Sequence, residues 1–218
     1  MPPRTAFFDL DGTLVDHFAA IHRSYVHTLP QLGLPAPTLE QVRSAVGGGL
    51  ERAMLRFVTQ AQLADALTIY RDYFDRTMLD DVILLPGAKE SLAAFSARGC
   101  SCAVLTNKLG TASRRICEHL GITHWLKGVF GAHDTPWLKP DVRFLTHALA
   151  EMKLPAERLL MIGDSPFDVQ TGINAQCPCW AVTTGTHDTG QLLAAGASRV
   201  FPDLTSLTAA LLAEPASR

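Results

Sequence analysis

Four polar signals stand in fixed order along this chain, each at or just behind a short apolar run: Asp9-Leu10-Asp11-Gly12-Thr13, Thr106-Asn107, Lys139-Pro140 and Gly163-Asp164-Ser165-Pro166-Phe167-Asp168. Short apolar runs that end in turn-forming residues read as buried strands. In an open α/β sheet the ligand site lies beyond the carboxyl ends of the strands. The four signals therefore collect carboxylates, a hydroxyl and a lysine at one sheet edge, a set suited to phosphoryl transfer.

The rest of the pattern agrees. Thr5 to Leu10 reads as a central parallel strand, and from residue 86 onward strand and helix alternate. The expected elements are a helix ending at Phe95, a strand Ser101 to Leu105, a helix Thr111 to Leu120, a short strand Val129-Phe130, a helix Asp141 to Met152, a strand Leu159 to Ile162, a helix Phe167 to Ala175 and a strand Trp180 to Thr183. Such alternation predicts a parallel sheet covered on both faces. Residues 17 to 84 break it. They read as helices alone, His17 to Leu29, Leu39 to Val46, Leu50 to Thr59 and Ala61 to Met78, separated by Pro30, Pro35 with Pro37, and Gly47-Gly48-Gly49. The expected organisation is an α/β core, residues 1–16 and 85–218, interrupted after its first strand by a helical insert, residues 17–84.

Composition narrows the function classes. A net charge of -2 argues against nucleic acid, whose ligands displace counterions with a basic surface. No apolar run reaches the roughly 18 residues of a spanning helix, so no membrane partner is expected. Met1-Pro2-Pro3-Arg4 runs directly into the first strand, leaving no room for a leader, and a cytoplasmic monomer or homodimer is the expectation. The five cysteines include two i, i+2 pairs, Cys100/Cys102 and Cys177/Cys179. Four thiols could meet around zinc, but free cysteine more commonly fills core as a small apolar residue.

Asp9 and Asp11 bracket Leu10 at a strand end and can both address one pocket. One carboxylate can attack phosphorus while the other protonates the departing alkoxide and then activates water. Gly12 lets backbone approach an anion closely. Thr106-Asn107 offers a hydroxyl and amides, although the same pair can cap a helix. Lys139 can offset transition-state charge. Asp164 and Asp9 supply the hard oxygens that Mg²⁺ prefers, while Asp164 or Ser165 could equally cap the helix after Pro166.

The set Asp-x-Asp-Gly-Thr-Leu-Val-Asp, Thr-Asn, Lys-Pro and Gly-Asp-Ser-x-x-Asp resembles the haloacid dehalogenase-like hydrolase superfamily, in the phosphoglycolate phosphatase-like branch with a helical cap. The resemblance covers nearly the whole chain. It implies a Rossmann-like parallel sheet with an inserted all-helical cap, and a Mg²⁺-dependent phosphatase acting on a small phosphate monoester through an aspartyl phosphate. Asp9 would be the nucleophile and Asp11 the general acid/base. Thr106 and Asn107, with Gly12, would hold phosphate, and Lys139 would position the nucleophile. Mg²⁺ would be held by Asp9, the Asp11 carbonyl and Asp164, with Asp168 in support. Val142 and Gln176 depart from the second proline and the glycine common in the family, without removing a catalytic atom.

The resemblance also ranks the competing reactions. Dehalogenases lack the second aspartate, which Asp11 supplies here. Phosphonoacetaldehyde hydrolases need a cap lysine, and the five lysines (Lys89, Lys108, Lys127, Lys139 and Lys153) all lie after residue 88. A sugar phosphomutase places a histidine where this chain has Ile21, with His22 one residue further and rotated by about 100° on a helix. That mutase, a nucleotidase or pyrophosphatase of the same superfamily, and a non-catalytic binding module remain the alternatives. His17, His22 and Arg52 are the candidates for substrate selection in the cap.

Overall fold

The computed structural model describes residues 3–214; the leader reading at Met1 and Pro2 falls outside them. The chain opens with β1 (Thr5–Phe8) and β2 (Val15–Asp16), then runs through helices α1 (Phe18–Thr28), α2 (Leu39–Arg43), α3 (Leu50–Met54) and α4 (Leu63–Thr77). It returns by β3 (Ile83–Leu84) and α5 (Ala88–Ala97) to β4 (Ser101–Leu109), α6 (Gly110–His119) and β5 (Leu126–Ala132). The last stretch comprises α7 (Val142–Met152), β6 (Leu159–Gly163), α8 (Pro166–Asn174), β7 (Cys179–Val182), α9 (Thr189–Ala194), β8 (Arg199–Phe201) and α10 (Leu204–Ala213). This is the expected α/β architecture, a parallel sheet with a helical region between its first two strands.

Six strands form one sheet in the order β5-β4-β1-β6-β7-β8, every neighbouring pair parallel. The chain builds outward from β1 in one direction, then starts again at β6 on the other side. That reversal is the topological switch point where open sheets place ligands. It falls between β1 and β6, whose carboxyl ends lead into Asp9 and Asp164.

Period-two alternation decides which side chain meets which layer. On one face Phe8, Val104, Ile162 and Trp180 pack against Leu92, Phe95, Ile116 and Leu207 of α5, α6 and α10. On the other, Phe7, Leu105, Met161 and Ala181 pack against Phe144, Leu145, Val169 and Leu192 of α7, α8 and α9. The central strands carry apolar residues toward both faces because both faces are covered. Cys102 on β4 and Cys179 on β7 are separated by β1 and β6, about 14 Å at the usual strand spacing. The two cysteine pairs therefore cannot share a zinc ion, and they serve as core residues.

The helices α1 to α4 bury a third cluster, in which Ile21, Tyr25, Met54, Tyr70, Phe74 and Met78 meet Ala112 of α6. Both chain passages into this region are tied together: Val15 pairs with Leu84 and Asp16 with Ile83 in an antiparallel ladder, and Leu85 N–H donates to the Leu14 carbonyl. A two-residue ladder has no period to read, which is why the sequence did not announce it.

Several bounds differ from expectation. The region read as a helix Leu50 to Thr59 is helical only to Met54, and α2 stops at Arg43. β4 runs to Leu109, past the expected end at Leu105, because β5 starts at Leu126 and pairs with it through a register shift between Leu105 and Leu109. Thr106, Asn107 and Lys108 therefore stand on the strand itself. Beyond β7, β8 adds a sixth strand and α10 a cover that the alternation had not resolved.

Candidate active site

Asp9 directly follows β1, and its N–H donates to the Ile162 carbonyl of β6, which locks the loop to the switch point. Asp9, Asp164 and Asp168 are all buried, with carboxylate oxygens within 4.8 Å of one another. Lys139 Nζ enters this group. It donates to Asp168 Oδ1 at 2.6 Å and forms an ion pair with Asp9 Oδ1 at 2.8 Å, an oxygen left without a directed hydrogen-bond donor. Thr13 Oγ1 donates to Asp164 Oδ1 at 2.8 Å. Ser165 N–H and Oγ both donate to Asp168 Oδ2, so Asp168 closes the first turn of α8 as well as holding the lysine. Ser165 is the residue that caps this helix.

The charges are unbalanced, and the pKa shifts reflect it. Burial, offset in part by Lys139 and reinforced by Asp168, pushes the Asp9 carboxyl up to about 6. Burial and the neighbouring Asp9 raise Asp164 well above the usual carboxylate range. For Lys139, burial alone would lower the value, but Asp168 and Asp9 outweigh it and keep the ammonium charged. Three buried carboxylates facing one lysine leave room for a further cation. The backbone is shaped to the same end: Gly12 has φ +85°, and a Cβ there would stand 2.7 Å from Asp164 Oδ2. A Cβ on Gly185 would stand 1.7 Å from the same oxygen. Only glycine fits either position. The residues present thus fit one shared metal ion held by carboxylate oxygens.

Asp11 sits just outside the cluster and belongs to a different set of contacts. Lys108 Nζ donates to both its oxygens, at 2.9 and 3.1 Å, and lies 5.0 Å from the centre of the Phe74 ring. Burial would raise the Asp11 pKa, but the Lys108 charge and the His17 contact hold it well below the usual carboxylate range. His17 is buried at the base of the helical region. Its Nε2 donates to the Met78 carbonyl at 2.6 Å, and its Nδ1 faces Asp11 Oδ1 at 3.5 Å without a hydrogen-bond partner.

Thr106 Oγ1 accepts from Lys108 N–H at 3.2 Å and lines the cavity over Asp9. Asn107 is fully engaged: its Oδ1 accepts from Lys139 N–H at 2.7 Å, and its Nδ2 donates to the carbonyls of Lys139 and Gly47. This one amide fixes the Lys139 backbone and clasps the glycine loop of the helical region. Gly47-Gly48-Gly49 thereby brings backbone of that region to the site, and Gly48 packs on Phe167.

The remaining candidates lie elsewhere. His22 Nε2 donates to the Pro37 carbonyl at 3.0 Å. The Arg52 guanidinium covers the Phe167 ring at 5.2 Å and lines a side cavity of about 320 Å³. Neither borders the main cavity, about 450 Å³, which runs from Asp9 and Asp11 between α1, α3 and α4. Its walls hold residues that the sequence reading passed over, notably Tyr25, Tyr70 and Lys108. Tyr25 and Tyr70 recur on one face of amphipathic helices, a pattern indistinguishable from ordinary core.

Acidic side chains gathered at the switch point of a parallel sheet, with a lysine among them and a helical region above, define a hydrolase site of the Rossmann-like type. The haloacid dehalogenase-like hydrolase family pattern matches residues 6–182, and the chain belongs to that family. A phosphoglycolate phosphatase of Agrobacterium fabrum is 30% identical over 98% of this chain and 94% of its own length. One from Rhodobacter capsulatus is 34% identical over 84% of this chain and 85% of its own. Among solved structures, a haloacid dehalogenase-like family hydrolase of Streptococcus pneumoniae superposes with a TM-score of 0.86 at 26% identity, covering 95% of this chain and 98% of that one. A putative phosphoglycolate phosphatase of Lactobacillus delbrueckii shares the fold at a TM-score of 0.91 and 22% identity, covering 98% and 100%. Among the described residues no helix is long and apolar enough to cross a membrane.

Proposed function

We propose that this chain is a Mg²⁺-dependent phosphatase that hydrolyses a phosphate monoester of a small molecule through an aspartyl phosphate on Asp9. The observation that carries the reading is the buried group of Asp9, Asp164, Asp168 and Lys139, with Asp11 two residues beyond Asp9 at the same sheet edge. Asp9 attacks phosphorus, an acyl phosphate bond forms, and the bond from phosphorus to the leaving oxygen breaks. Asp11 supplies the proton to the departing alkoxide and later takes one from the water that hydrolyses the acyl phosphate. Ionised beside Lys108, Asp11 is in its proton-accepting form. Before it can donate, Asp11 must take up a proton from solvent as Lys108 leaves it, and an incoming phosphate offers that lysine another anion. Lys139 holds Asp9 in line, and Thr106 with the backbone at Gly12 binds phosphate oxygens. Asn107 acts through Lys139 and the Gly47 loop. Asp9, the Asp11 carbonyl and Asp164 would hold Mg²⁺, with Asp168 behind them. The ion supplies charge neutralisation between carboxylate and phosphate.

In this reading residues 17–84 are a lid that excludes water and selects the alcohol, while residues 1–16 and 85–218 perform the chemistry. His22, turned to Pro37, weighs against the mutase alternative. Phosphoglycolate is the ester that the curated relatives' names put forward first. Phosphate release from a panel of monoesters with Mg²⁺ tests the proposal; no release from any ester, with protein shown to be folded, would refute it.

A further inference from the structure

The cavity beside Asp9 and Asp11 has a volume of about 450 Å³, within the range of pockets that hold ligands of drug size. Phosphoglycolate has nine non-hydrogen atoms. Even at the ~30 Å³ that a water molecule occupies, they would take at most about 270 Å³. Charged residues of α4, among them Arg71 and Asp75, line part of the cavity, but a continuous share of its wall away from Asp9 and Asp11 is uncharged and largely apolar: Ile21, Tyr25, Leu50, Ala53, Tyr70 and Phe74. A short carboxylate-bearing alcohol has no apolar surface to match this part of the wall.

Two polar atoms of the residues on this wall lack hydrogen-bond partners. The Tyr25 hydroxyl is buried without a hydrogen bond although the residue is only 1% exposed. Arg71 Nε, nearer the mouth, is likewise unpaired. A buried donor without an acceptor costs stability, which folding alone gives no reason to retain. The rings around Tyr25 are packed: Tyr70 lies 5.1 Å away and Phe57 5.0 Å, while Tyr70 stacks on Phe74 at 5.5 Å. The hydroxyl is therefore held in place and cannot swing to water.

Resting on the phosphatase reading above, we infer that the alcohol released by this enzyme is a ring-bearing group, larger than glycolate, with an apolar face for Tyr70 and Phe74 and an oxygen or nitrogen acceptor for Tyr25. A nucleoside and a substituted sugar both satisfy this chemistry.

The test compares kcat/KM with Mg²⁺ for phosphoglycolate, nucleoside 5′-monophosphates and hexose and N-acetylhexosamine phosphates, in the parent and in Tyr25→Phe and Ala53→Phe. At least one ring-bearing ester should exceed phosphoglycolate by about tenfold or more, and which arm does so identifies the source. Ala53→Phe, which fills the cavity, should lower the ratio of that ester to phosphoglycolate at least about tenfold. Tyr25→Phe should lower the same ratio about fivefold without lowering Tm, because it removes a hydroxyl that folding does not use; this second variant decides the matter if Ala53→Phe misfolds. Should phosphoglycolate match or exceed every ring-bearing ester, or should the ratio be unmoved by both folded variants, the inference is overturned while the phosphatase reading stands. Absence of turnover with every ester would instead remove both.

Discussion

Around Asp9 the charges answer one another: Lys139 bridges Asp9 and Asp168, Thr13 serves Asp164, and Ser165 serves Asp168. Around Tyr25 the wall is apolar, and its hydroxyl has no answer. The two regions face each other across one cavity, yet they are built on different rules. The sheet edge is organised for a reaction whose charges are always the same. The helical region is organised for a shape, with hydrogen-bonding capacity held in reserve. Under the proposed function, a chemistry that is fixed and a specificity that varies fall to separate parts of the chain.

The largest effect should come from breaking the fixed part. Asp9→Asn should lower kcat by at least about a thousandfold, the scale on which removing a nucleophile acts, with little change in Tm. Chelation by EDTA should abolish turnover of every ester, and Mg²⁺ should restore it. Ca²⁺ should restore far less, because its looser and larger shell does not align carboxylate and phosphate. Initial rates in metal-buffered solution check this.

Asn107→Ala tests the join between the two regions. It leaves Lys139 N–H unpaired and releases Gly47, so kcat should fall by about ten- to a hundredfold, the cost of misplacing a catalytic group by about an ångström. Steady-state kinetics will also show whether the loss falls on kcat, as a misplaced Lys139 requires.

Next in size is a pH effect on stability in the metal-free protein. Burial raises the Asp9 pKa from 3.8 to about 6, so between those values the folded state binds more protons than the unfolded state. Its stability should therefore fall as pH rises from about 4 to about 6 and change little above that from this group. Thermal melts across this range, with and without Mg²⁺, check the sign. The ion should add more stability at pH 7 than at pH 4, since it binds the ionised carboxylates.

The smallest effect should come from His22→Ala and Arg52→Ala. Neither side chain borders the main cavity, so the ranking of esters should shift by less than about threefold, in contrast with Tyr25→Phe.

The same contrast explains what was legible in the sequence. Asp9, Asp11, Thr106, Lys139 and Asp164 announce themselves because strand ends, turn signals and polar side chains coincide within a few residues, and the parallel sheet, though not its strand order, follows from alternation. The helical region offers no such coincidence. His17, His22 and Arg52 stood out as polar residues among apolar ones, but His22 and Arg52 make local contacts with Pro37 and Phe167. His17 lies beside Asp11, as much a part of the sheet edge as of the helical region. Tyr25 and Tyr70 were hidden for the opposite reason: an aromatic residue that lines a cavity has the same helical period as one that fills it. Lys108 follows Thr106-Asn107 directly, yet its partner Asp11 is 97 residues away in sequence, and only the folded register brings them together.

The central claim is that Asp9 becomes covalently phosphorylated during turnover. It is tested most directly by acid-quenching the enzyme while it turns over an ester with Mg²⁺ and mapping phosphorylated peptides by mass spectrometry. The account predicts one added phosphoryl group at Asp9, removed on standing at neutral pH and absent from Asp9→Asn. Steady turnover with no phosphoryl group at Asp9 under conditions that preserve acyl phosphates, or an Asp9→Asn enzyme within tenfold of the parent, would contradict it.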